Sequence, residues 1–586
     1  MRDLVVGLLA LLMMVSFAAF SAQAERSGQA EILSGAARAA YAGAQPSGPM
    51  RGTYYWGRAS PTNFWNSLRI SEIDDDFARL RADGFDTILL VVPWGEFQTQ
   101  VKPCCKDNDF AWKTLDLLSQ KSQAAGLKLI VRIGYPWSME PDQQWMNLER
   151  VERIILDDEV LAAFANFVAK VGAVVGRRNN FKFAFFSWED FYLHHVMDHG
   201  TDRFRGTALE RDYRRFLEKY YSLEQLRMIF RDRSLNEFSA VPYPVYQAAY
   251  PDDARVRLFN SFWDELLIER LFVTLKQALP AMSMEVRIDA EPIPLKAGGY
   301  AWVHHKRTYD LPQAPFLTAY YRIPWGMPNN GDLASPQAAV EKFEYLLAGL
   351  SEHFPSKKIF FDQLLFLDNT PGYESNTRLD PAKINLFLES MAVPLGRTGG
   401  YALWHVRDYL SNNVYNAGFQ RGLTGWQTAG AVALSDAGLS HNVVINPGGV
   451  LSQVMTLNRY LTVVNKRWTL CLDVRSVSGD FEGMVRTGEV QAKLDPKRSG
   501  RSCMAVDFKP GSKVSISAKR GRIELESVYL YSHEQVQKVY YADGREGPYA
   551  TGVRSLNRGL AASTRSFRPI RWQRSSIMPA SRVRSF

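Results

Sequence analysis

The chain has 586 residues, of which 46% are hydrophobic and 12% aromatic. This length and composition suit at least two domains with large cores. The net charge of +9 is concentrated near the C-terminus, since residues 551–586 contain eight arginines and no acidic residue. The rest of the chain is close to neutral, so its charge gives no support for nucleic-acid binding by the whole protein.

The first residues have the form of a secretory signal. Arg2 gives a positive start, an apolar run follows over 4–20, and Ala22-Gln23-Ala24 fits a small-x-small cleavage site. We therefore expect residues 1–24 to be removed and the mature protein to be secreted or periplasmic. Residues 25–50 are rich in Ala, Gly and Ser, which indicates a linker.

Disulfide bonds can form in an exported protein, and the chain has four cysteines. Cys471 and Cys503 fall in one later domain and could pair. The state of adjacent Cys104 and Cys105 stays open, because neighbouring cysteines pair only with strain. The cysteine spacings match no zinc motif, and we predict no metal and no cofactor.

From residue 51 to 412, short apolar strands alternate with segments that have the helical spacing of apolar residues. Such alternation indicates a parallel sheet, and eight units at this length predict a closed (β/α)8 barrel. An open, doubly wound sheet is the alternative, but it usually shows a Gly-rich phosphate turn after its first strand, and none appears here. The eight predicted strands lie near 52–57, 85–92, 127–134, 181–186, 284–292, 316–322, 358–363 and 400–405.

The fourth strand carries the strongest functional signal. Its apolar run over 181–186 suits a buried parallel strand, and the run leads into Trp188, Glu189 and Asp190. A carboxyl group among aromatic rings at such a strand end is typical of general acid chemistry. Residues 191–255 carry many charged and aromatic side chains, and we expect them to form helical loops above this site.

Tryptophans fall at or just after six of the predicted strands. A barrel would gather these strand ends on one face, which predicts a cleft lined by aromatic rings. The six residues are Trp56, Trp94, Trp137, Trp188, Trp325 and Trp404.

The pattern changes after Asp408. Residues 413–535 contain short strands and turns without a helical period, which predicts an all-β sandwich. Residues 536–586 are rich in Gly, Ser and Arg and have few core residues, so we expect a disordered tail there. Its arginines would contact anionic polymers or surfaces in a salt-dependent way.

The first domain resembles the clan of retaining glycoside hydrolases built on (β/α)8 barrels, which includes family-five cellulases and family-forty-two β-galactosidases. In that clan the acid/base Glu ends the fourth strand and the nucleophile Glu ends the seventh. The resemblance therefore implies that Glu189 is the acid/base and Asp362 the nucleophile. Two positions depart from the clan pattern, because Trp188 replaces the usual Asn and Asp362 is shorter than Glu.

The same resemblance implies contacts to the substrate. Tyr320 and Tyr321 stand where the clan often has a Tyr that touches the nucleophile, and Trp404 matches a common Trp after the eighth strand. Asp289 and Glu291, at the end of the fifth strand, are rival second carboxylates. The full predicted substrate-binding set is Trp56, Trp94, Trp137, Trp188, Asp289, Glu291, Tyr320, Tyr321 and Trp404.

Glycoside hydrolysis needs two carboxyl groups that flank the scissile bond. A retaining enzyme holds them about 5–5.5 Å apart, and an inverting enzyme about 6.5–9.5 Å apart. Asp190 and Asp368 are weaker rivals for the second role. Each of these carboxylates could instead be an ion-pair partner of Arg132, Arg287 or Arg322.

The region over 416–531 resembles the jelly-roll carbohydrate-binding modules of families four and nine. Their opening often reads Asn-x-Gly-Phe-Glu and then Gly-Leu-x-Gly-Trp, and the matching segments here begin at Asn416 and Gly422. The resemblance implies a jelly-roll fold, and it is less specific for sugar binding because many such modules are structural.

Together these features predict a secreted glycoside hydrolase that cleaves an extracellular or cell-surface polysaccharide by two-carboxylate retaining chemistry. The alternative is a non-catalytic polysaccharide-binding protein that assists exopolysaccharide synthesis or export. A close pair of carboxyl groups at the strand ends favours the enzyme, and the binding protein predicts no such pair.

Overall fold

The structure is a computed structural model. The signal peptide predicted over 1–24 and most of the linker predicted over 25–50 lie outside the residues that it describes. The described residues are 48–57, 64–134, 150, 153–154, 157–186, 208–243, 253–266, 271, 273–276, 278–279, 281–287, 293–294, 300–301, 316–322, 331–367, 377–437, 439–455, 468–488, 490–494, 499–506, 511–535 and 537–563.

Eight parallel strands close into a barrel, which confirms the predicted architecture. They are Met50–Tyr54 (β1), Thr87–Val92 (β2), Lys128–Ile133 (β3), Phe181–Phe186 (β4), Met282–Arg287 (β5), Phe316–Arg322 (β6), Lys358–Leu365 (β7) and Gly400–Leu403 (β8). Each strand pairs with the next along the chain, and β8 closes the ring on β1.

The barrel strands are mainly apolar because both of their faces are covered. Every residue of β2 is buried. Paired residues on neighbouring parallel strands share a face, so Leu89 of β2 points to the same side as Tyr54 of β1. That side is the interior, since a Cβ added to Gly52 would lie 3.3 Å from the Cβ of Ala402 on β8 and 3.4 Å from Leu89. The close approach across this layer requires glycine at position 52.

Helices cover the outside of the barrel and turn one apolar face to the strands. The helix Asp158–Val175 is capped by Asp157, the residue before it. The carboxylate of Asp157 accepts hydrogen bonds from the backbone N–H groups of Glu159 at 3.0 Å and Val160 at 3.3 Å. The helices are Ile73–Ala82 (α1), Asp109–Ala124 (α2), Asp158–Val175 (α3), Ala208–Tyr220 (α4), Leu223–Phe230 (α5), Ala254–Leu266 (α6), Pro336–His353 (α7), Ile384–Ser390 (α8) and Ala550–Ser563 (α9), with short helices at Phe64–Ser67, Trp94–Phe97, Val273–Lys276 and Ala392–Leu395 and 3-10 turns at Ile70–Glu72, Phe238–Ala240 and Pro381–Lys383.

Helix α9 takes the place of the helix that follows the eighth strand of such a barrel. Its Leu556 and Leu560 are fully buried in the barrel's hydrophobic core. Tyr401, at the start of β8, donates a hydrogen bond to Asn557 at 2.7 Å, and Asn557 donates to the backbone carbonyl of Asp83 at 3.0 Å. The second domain is therefore inserted between β8 and the last helix of the barrel.

This packing corrects our prediction of a disordered tail over 536–586. Residues 537–563 belong to the barrel domain, and Arg554, which we expected to be mobile, pairs with Glu546 at 2.5 Å and with Asp83 at 3.4 Å. The prediction was wrong because a helix that covers a barrel needs only one apolar stripe, and the arginines on its other face hid that stripe. Residues 564–586 lie outside the described part of the chain.

The second domain is an antiparallel β structure, as predicted. Its described strands are Tyr409–Asn412 (β9), Gln427–Ala429 (β10), Val432–Ala437 (β11), Ser440–Ile445 (β12), Val450–Val454 (β13), Trp468–Thr487 (β14), Val490–Leu494 (β15), Gly500–Val506 (β16) and Lys513–Gln535 (β17). The long strands β14 and β17 pair with each other and with most of the remaining strands. Strand β9 pairs with the end of β17, so this domain begins a few residues before the predicted position 413.

Three further two-stranded sheets lie in the loops of the barrel. They are formed by Gln98–Gln100 with Lys106–Asp107, Ile293–Pro294 with Tyr300–Ala301, and Leu333–Ala334 with Arg378–Leu379.

Disulfide bonds join both pairs of cysteines. Cys471 on β14 lies directly opposite Cys503 on β16 and is bonded to it, which confirms the predicted pairing. The bond links two neighbouring strands of the β domain core. Cys104 and Cys105, whose state the sequence left open, are bonded to each other.

The two domains are in direct contact. Arg69 of the barrel forms an ion pair with Glu526 and lies 3.8 Å from Asp473, both in the β domain. At the junction, Asp408 accepts hydrogen bonds from the backbone N–H groups of Gln537 at 2.6 Å and Lys538 at 3.1 Å. The chain segments that lead into and out of the β domain are thus tied together. Within the described part of the chain, no helix combines the length and apolarity needed to cross a bilayer.

Candidate active site

A buried carboxylate lies inside the barrel in the C-terminal half of β7. Asp362 is fully buried, and its Oδ2 accepts a hydrogen bond from the hydroxyl of Tyr54 at 3.1 Å. Tyr54 is the last residue of β1, two strands away in the barrel. The C-terminal ends of barrel strands form the catalytic face in enzymes of this architecture, so Asp362 lies towards the relevant end.

The backbone of β7 is irregular at Asp362. On one side, β6 pairs with Phe361 and next with Gln363, and on the other side β8 pairs with Phe361 and next with Leu364. Asp362 is therefore skipped by both neighbouring strands. An extra residue of this kind redirects a side chain, and such bulges are frequent beside active sites.

Aromatic rings surround the hydroxyl that holds Asp362. The ring of Tyr54 stacks on Trp56, with 5.1 Å between ring centroids and 30° between planes. It also contacts Trp404, just after β8, at 5.1 Å, and the two tryptophans contact each other at 4.7 Å. Trp56 and Trp404, predicted separately as substrate contacts, thus belong to one cluster with Tyr54.

Ala402 on β8 stands between the two strands that carry Tyr54 and Asp362. It faces the interior, as its closeness to Gly52 requires, and it is fully buried. Its side chain is a single methyl group, which leaves room for the phenol of Tyr54 to reach across β8 to the carboxylate.

A buried arginine also faces the barrel interior. Arg132 on β3 is fully buried and pairs in register with Val91 on one side and Phe185 on the other. Val91 follows Leu89 by two residues in β2, so it points to the same interior face, and Arg132 shares that face. The described interior therefore contains a guanidinium as well as a carboxylate.

His405 is neutral near physiological pH. Its Nδ1 lies 2.9 Å from the carbonyl oxygen of Arg407, and because a carbonyl only accepts, Nδ1 carries the proton. Burial lowers the pKa of His405 to about 3. Burial therefore favours the neutral ring, whose one proton is held by the carbonyl oxygen of Arg407.

Trp94, also predicted as a substrate contact, lies in a different environment from Trp56 and Trp404. It begins a short helix after β2, is 2% exposed, and packs against Phe164 and Phe167 of α3. Its indole N–H donates to Gln98 at 2.8 Å. Trp94 thus packs between the barrel and its helices, apart from the cluster of Tyr54, Trp56 and Trp404.

Several predicted site residues lie outside the residues that the structure describes. For Tyr320 and Tyr321 only the backbone is described, as the end of β6. The residues that fall outside are Glu189, Trp137, Trp188, Asp190, Asp289, Glu291, Trp325 and Asp368.

Tyr54 is the one residue of this cluster that sequence reasoning missed. Tyr54 and Trp56 are two positions apart, so in an extended segment they point to the same side. Trp56 was assigned to the cleft, and the alternation alone would have placed Tyr54 beside it. Among the described residues, no group of His, Cys, Asp and Glu side chains is arranged to hold a metal ion.

No protein-family model matches the sequence, and a search of curated proteins finds no match. Solved structures similar to the chain include GH5_18 from Streptomyces cattleya in complex with GlcNAc, at 11% identity and a TM-score of 0.39 over 62% of this chain and 71% of that one. An endo-1,4-beta-mannanase from Rhizomucor miehei has 11% identity and a TM-score of 0.37 over 62% and 90%. The beta-amylase catalytic domain from Paenibacillus polymyxa has 12% identity and a TM-score of 0.36 over 61% and 93%.

Proposed function

We propose that this protein is a glycoside hydrolase that uses Glu189 and Asp362 as its two catalytic carboxyl groups. The observation that supports this most directly is the environment of Asp362. A carboxylate lies towards the C-terminal end of a barrel strand, at a bulge, and a tyrosine hydroxyl bonds it at 3.1 Å. Tryptophan rings lie next to that tyrosine, and pyranose rings present C–H faces that suit such rings.

In the first step of the proposed reaction, an oxygen of Asp362 forms a bond to the anomeric carbon while the bond from that carbon to the leaving oxygen breaks. The leaving oxygen takes the proton of Glu189. In the second step, water attacks the anomeric carbon, gives its proton to Glu189 and releases Asp362. Both groups return to their starting states, and the sugar keeps its anomeric configuration.

The proposed substrate is an extracellular or cell-surface polysaccharide. Export follows from the predicted signal peptide over 1–24, and a chain substrate suits a barrel with an inserted β domain. The insertion after β4 includes helices α4 and α5, which enlarge the barrel beyond its eight repeating units. The β domain contacts the segment between β1 and α1 through the ion pair of Arg69 with Glu526.

Substitution of single carboxyl groups tests this proposal. The protein is first screened on a panel of polysaccharides and 4-nitrophenyl glycosides. On a substrate that the wild type cleaves, we expect Glu189→Gln to lower kcat/KM by about 10²–10⁴-fold, which is the usual contribution of general acid–base catalysis. Asp362→Asn should lower it at least as much, because the covalent route is closed. Asp289→Asn and Glu291→Gln test the two rival second carboxylates on the same substrate.

Three results would contradict the proposal in different ways. Retained activity in Asp362→Asn with loss in Asp289→Asn or Glu291→Gln would move the second carboxylate to the fifth strand. Full activity in Glu189→Gln would remove the proposed acid/base. Saturable polysaccharide binding without hydrolysis of any substrate in the panel would favour the non-catalytic binding protein.

A further inference from the structure

We infer that Tyr54 is a positioning residue for Asp362, and that its hydroxyl sets the orientation of the carboxyl group for attack on the anomeric carbon. This inference rests on the proposed function, because it assumes that Asp362 is the nucleophile. The resemblance to retaining hydrolases implied Tyr320 or Tyr321 for a contact of this kind, from the sixth strand. The described contact comes from the first strand.

The ring of Tyr54 is buried against two tryptophans. It stacks on Trp56 and contacts Trp404, both with centroids 5.1 Å away, and only 2% of the residue is exposed. The layer before it on the same face has no room for a further side chain, since a Cβ added to Gly52 would lie 3.3 Å from Ala402 and 3.4 Å from Leu89. A ring packed in this way has little freedom, so the hydrogen bond to Asp362 is made without ordering a mobile side chain.

Asp362 lies at an irregular position of its strand, where its backbone is skipped by both neighbouring strands. Its side chain is one methylene shorter than the glutamate of the clan that the barrel resembles. A hydrogen bond from a fixed donor restrains rotation of the carboxyl plane and stabilises the charged carboxylate, the form that attacks. Displacement of a reacting group by about 1 Å can cost 10²-fold in rate, so the restraint has a measurable value.

The chain provides a matched control at the next residue. The hydroxyl of Tyr55 donates to the Oδ2 of Asp76 on α1 at 3.2 Å, and Tyr55 is 5% exposed. Both tyrosines therefore make one hydrogen bond to a carboxylate in a buried environment. They differ in direction, because Tyr54 points into the barrel and Tyr55 points outward to α1, where its ring contacts Phe77.

The test compares Tyr54→Phe and Tyr55→Phe in the full-length protein on the 4-nitrophenyl glycoside that the wild type cleaves best. For Tyr54→Phe we expect kcat to fall about 10- to 100-fold with little change in KM, because the ring and its packing remain and only the restraint on the nucleophile is lost. Tyr55→Phe should keep the wild-type kcat. Thermal melts of both variants should decrease by similar amounts, since each loses one buried hydrogen bond.

A double substitution separates an action through Asp362 from a general disturbance. In the Asp362→Asn background, Tyr54→Phe should cause no further loss of the residual rate, because the group that Tyr54 positions is already inactive. Equal losses of kcat in Tyr54→Phe and Tyr55→Phe would overturn the inference, as would a further loss in the double variant. If the melting temperature of Tyr54→Phe is much lower than that of Tyr55→Phe, the rate of the double variant still distinguishes an action through Asp362 from a general disturbance.

The two levels of the proposal fail differently. If Asp362→Asn is inactive and Tyr54→Phe has wild-type kcat, Asp362 keeps its role and only the positioning inference is wrong. If Asp362→Asn is fully active, the proposed nucleophile is wrong and the inference about Tyr54 is overturned with it.

Discussion

A tyrosine hydroxyl reaches a buried polar side chain at each end of the barrel, but the two contacts join different parts of the chain. Towards the C-terminal end, Tyr54 binds Asp362 at 3.1 Å, and both residues lie on barrel strands. At the N-terminal end, Tyr401 binds Asn557 at 2.7 Å, and Asn557 comes from α9, beyond the β domain. The Tyr54 contact holds a carboxylate beside aromatic rings, whereas the Tyr401 contact joins two segments that are distant along the chain.

The N-terminal end contains further contacts of the joining kind. Asp86, just before β2, binds Arg51 at 3.0 Å and Lys128 at 3.1 Å. Burial alone would raise the pKa of Asp86, but Lys128 and the hydrogen bonds from Arg51 and Thr87 hold it below its ordinary value. Asp86 thus joins the start of β2 to β1 and β3 through these two ion pairs. Such contacts stabilise the base of a barrel, whereas function is carried at the opposite end.

Removal of α9 is the strongest test of this division. Truncation before Ala550 deletes Leu556 and Leu560, and burial of a leucine side chain is worth about 1.5–3 kcal/mol. It also leaves Tyr401 without Asn557. The expected loss approaches the total stability of a typical domain, about 5–15 kcal/mol, so the truncated protein should be insoluble or lack a cooperative melt. Circular dichroism and solubility measure this.

Truncation after Ser563 is the control for that experiment. It removes residues 564–586, which contain six of the eight arginines in 551–586, and keeps α9 complete. We expect the wild-type melting temperature from this shorter deletion. An unchanged melt after removal of α9 itself would show that the helix is dispensable and that the barrel is complete at β8.

A smaller effect should follow from Tyr401→Phe. It removes one hydrogen bond and leaves the side-chain oxygen of Asn557 buried without that donor, which costs about 1–3 kcal/mol. Denaturant titration of the variant should show this loss, while kcat stays at the wild-type value. A fall in kcat comparable to that of Tyr54→Phe would contradict the division between the two ends.

The sequence predicted the barrel strands well because their signal is local. The predicted strand over 181–186 has the same bounds as β4. The bounds predicted near 316–322 and 358–363 differ by at most two residues from those of β6 and β7. A strand covered on both faces is mostly apolar, and this pattern is visible in a short window.

Helix α9 and the directions of the tryptophan rings were not predicted, and the reasons lie beyond the local sequence. Helix α9 was missed because its partner strand β8 is separated from it by the entire β domain, and no local pattern reports that connection. Trp56 and Trp94 follow strand ends in the same way, yet one lies beside Tyr54 and the other packs on α3. The direction of each ring depends on how the chain turns after the strand, which composition does not determine.

The measurement that tests the central claim most directly is the site of covalent labelling during turnover. The protein is incubated with a 2-deoxy-2-fluoro glycoside that carries a 2,4-dinitrophenyl leaving group and the sugar that the wild type cleaves, and the labelled peptide is identified by mass spectrometry. Our account predicts one glycosyl unit on Asp362, and no label in Asp362→Asn. A label on Asp289 or Glu291, or hydrolysis that inverts the anomeric centre without any label, would contradict it.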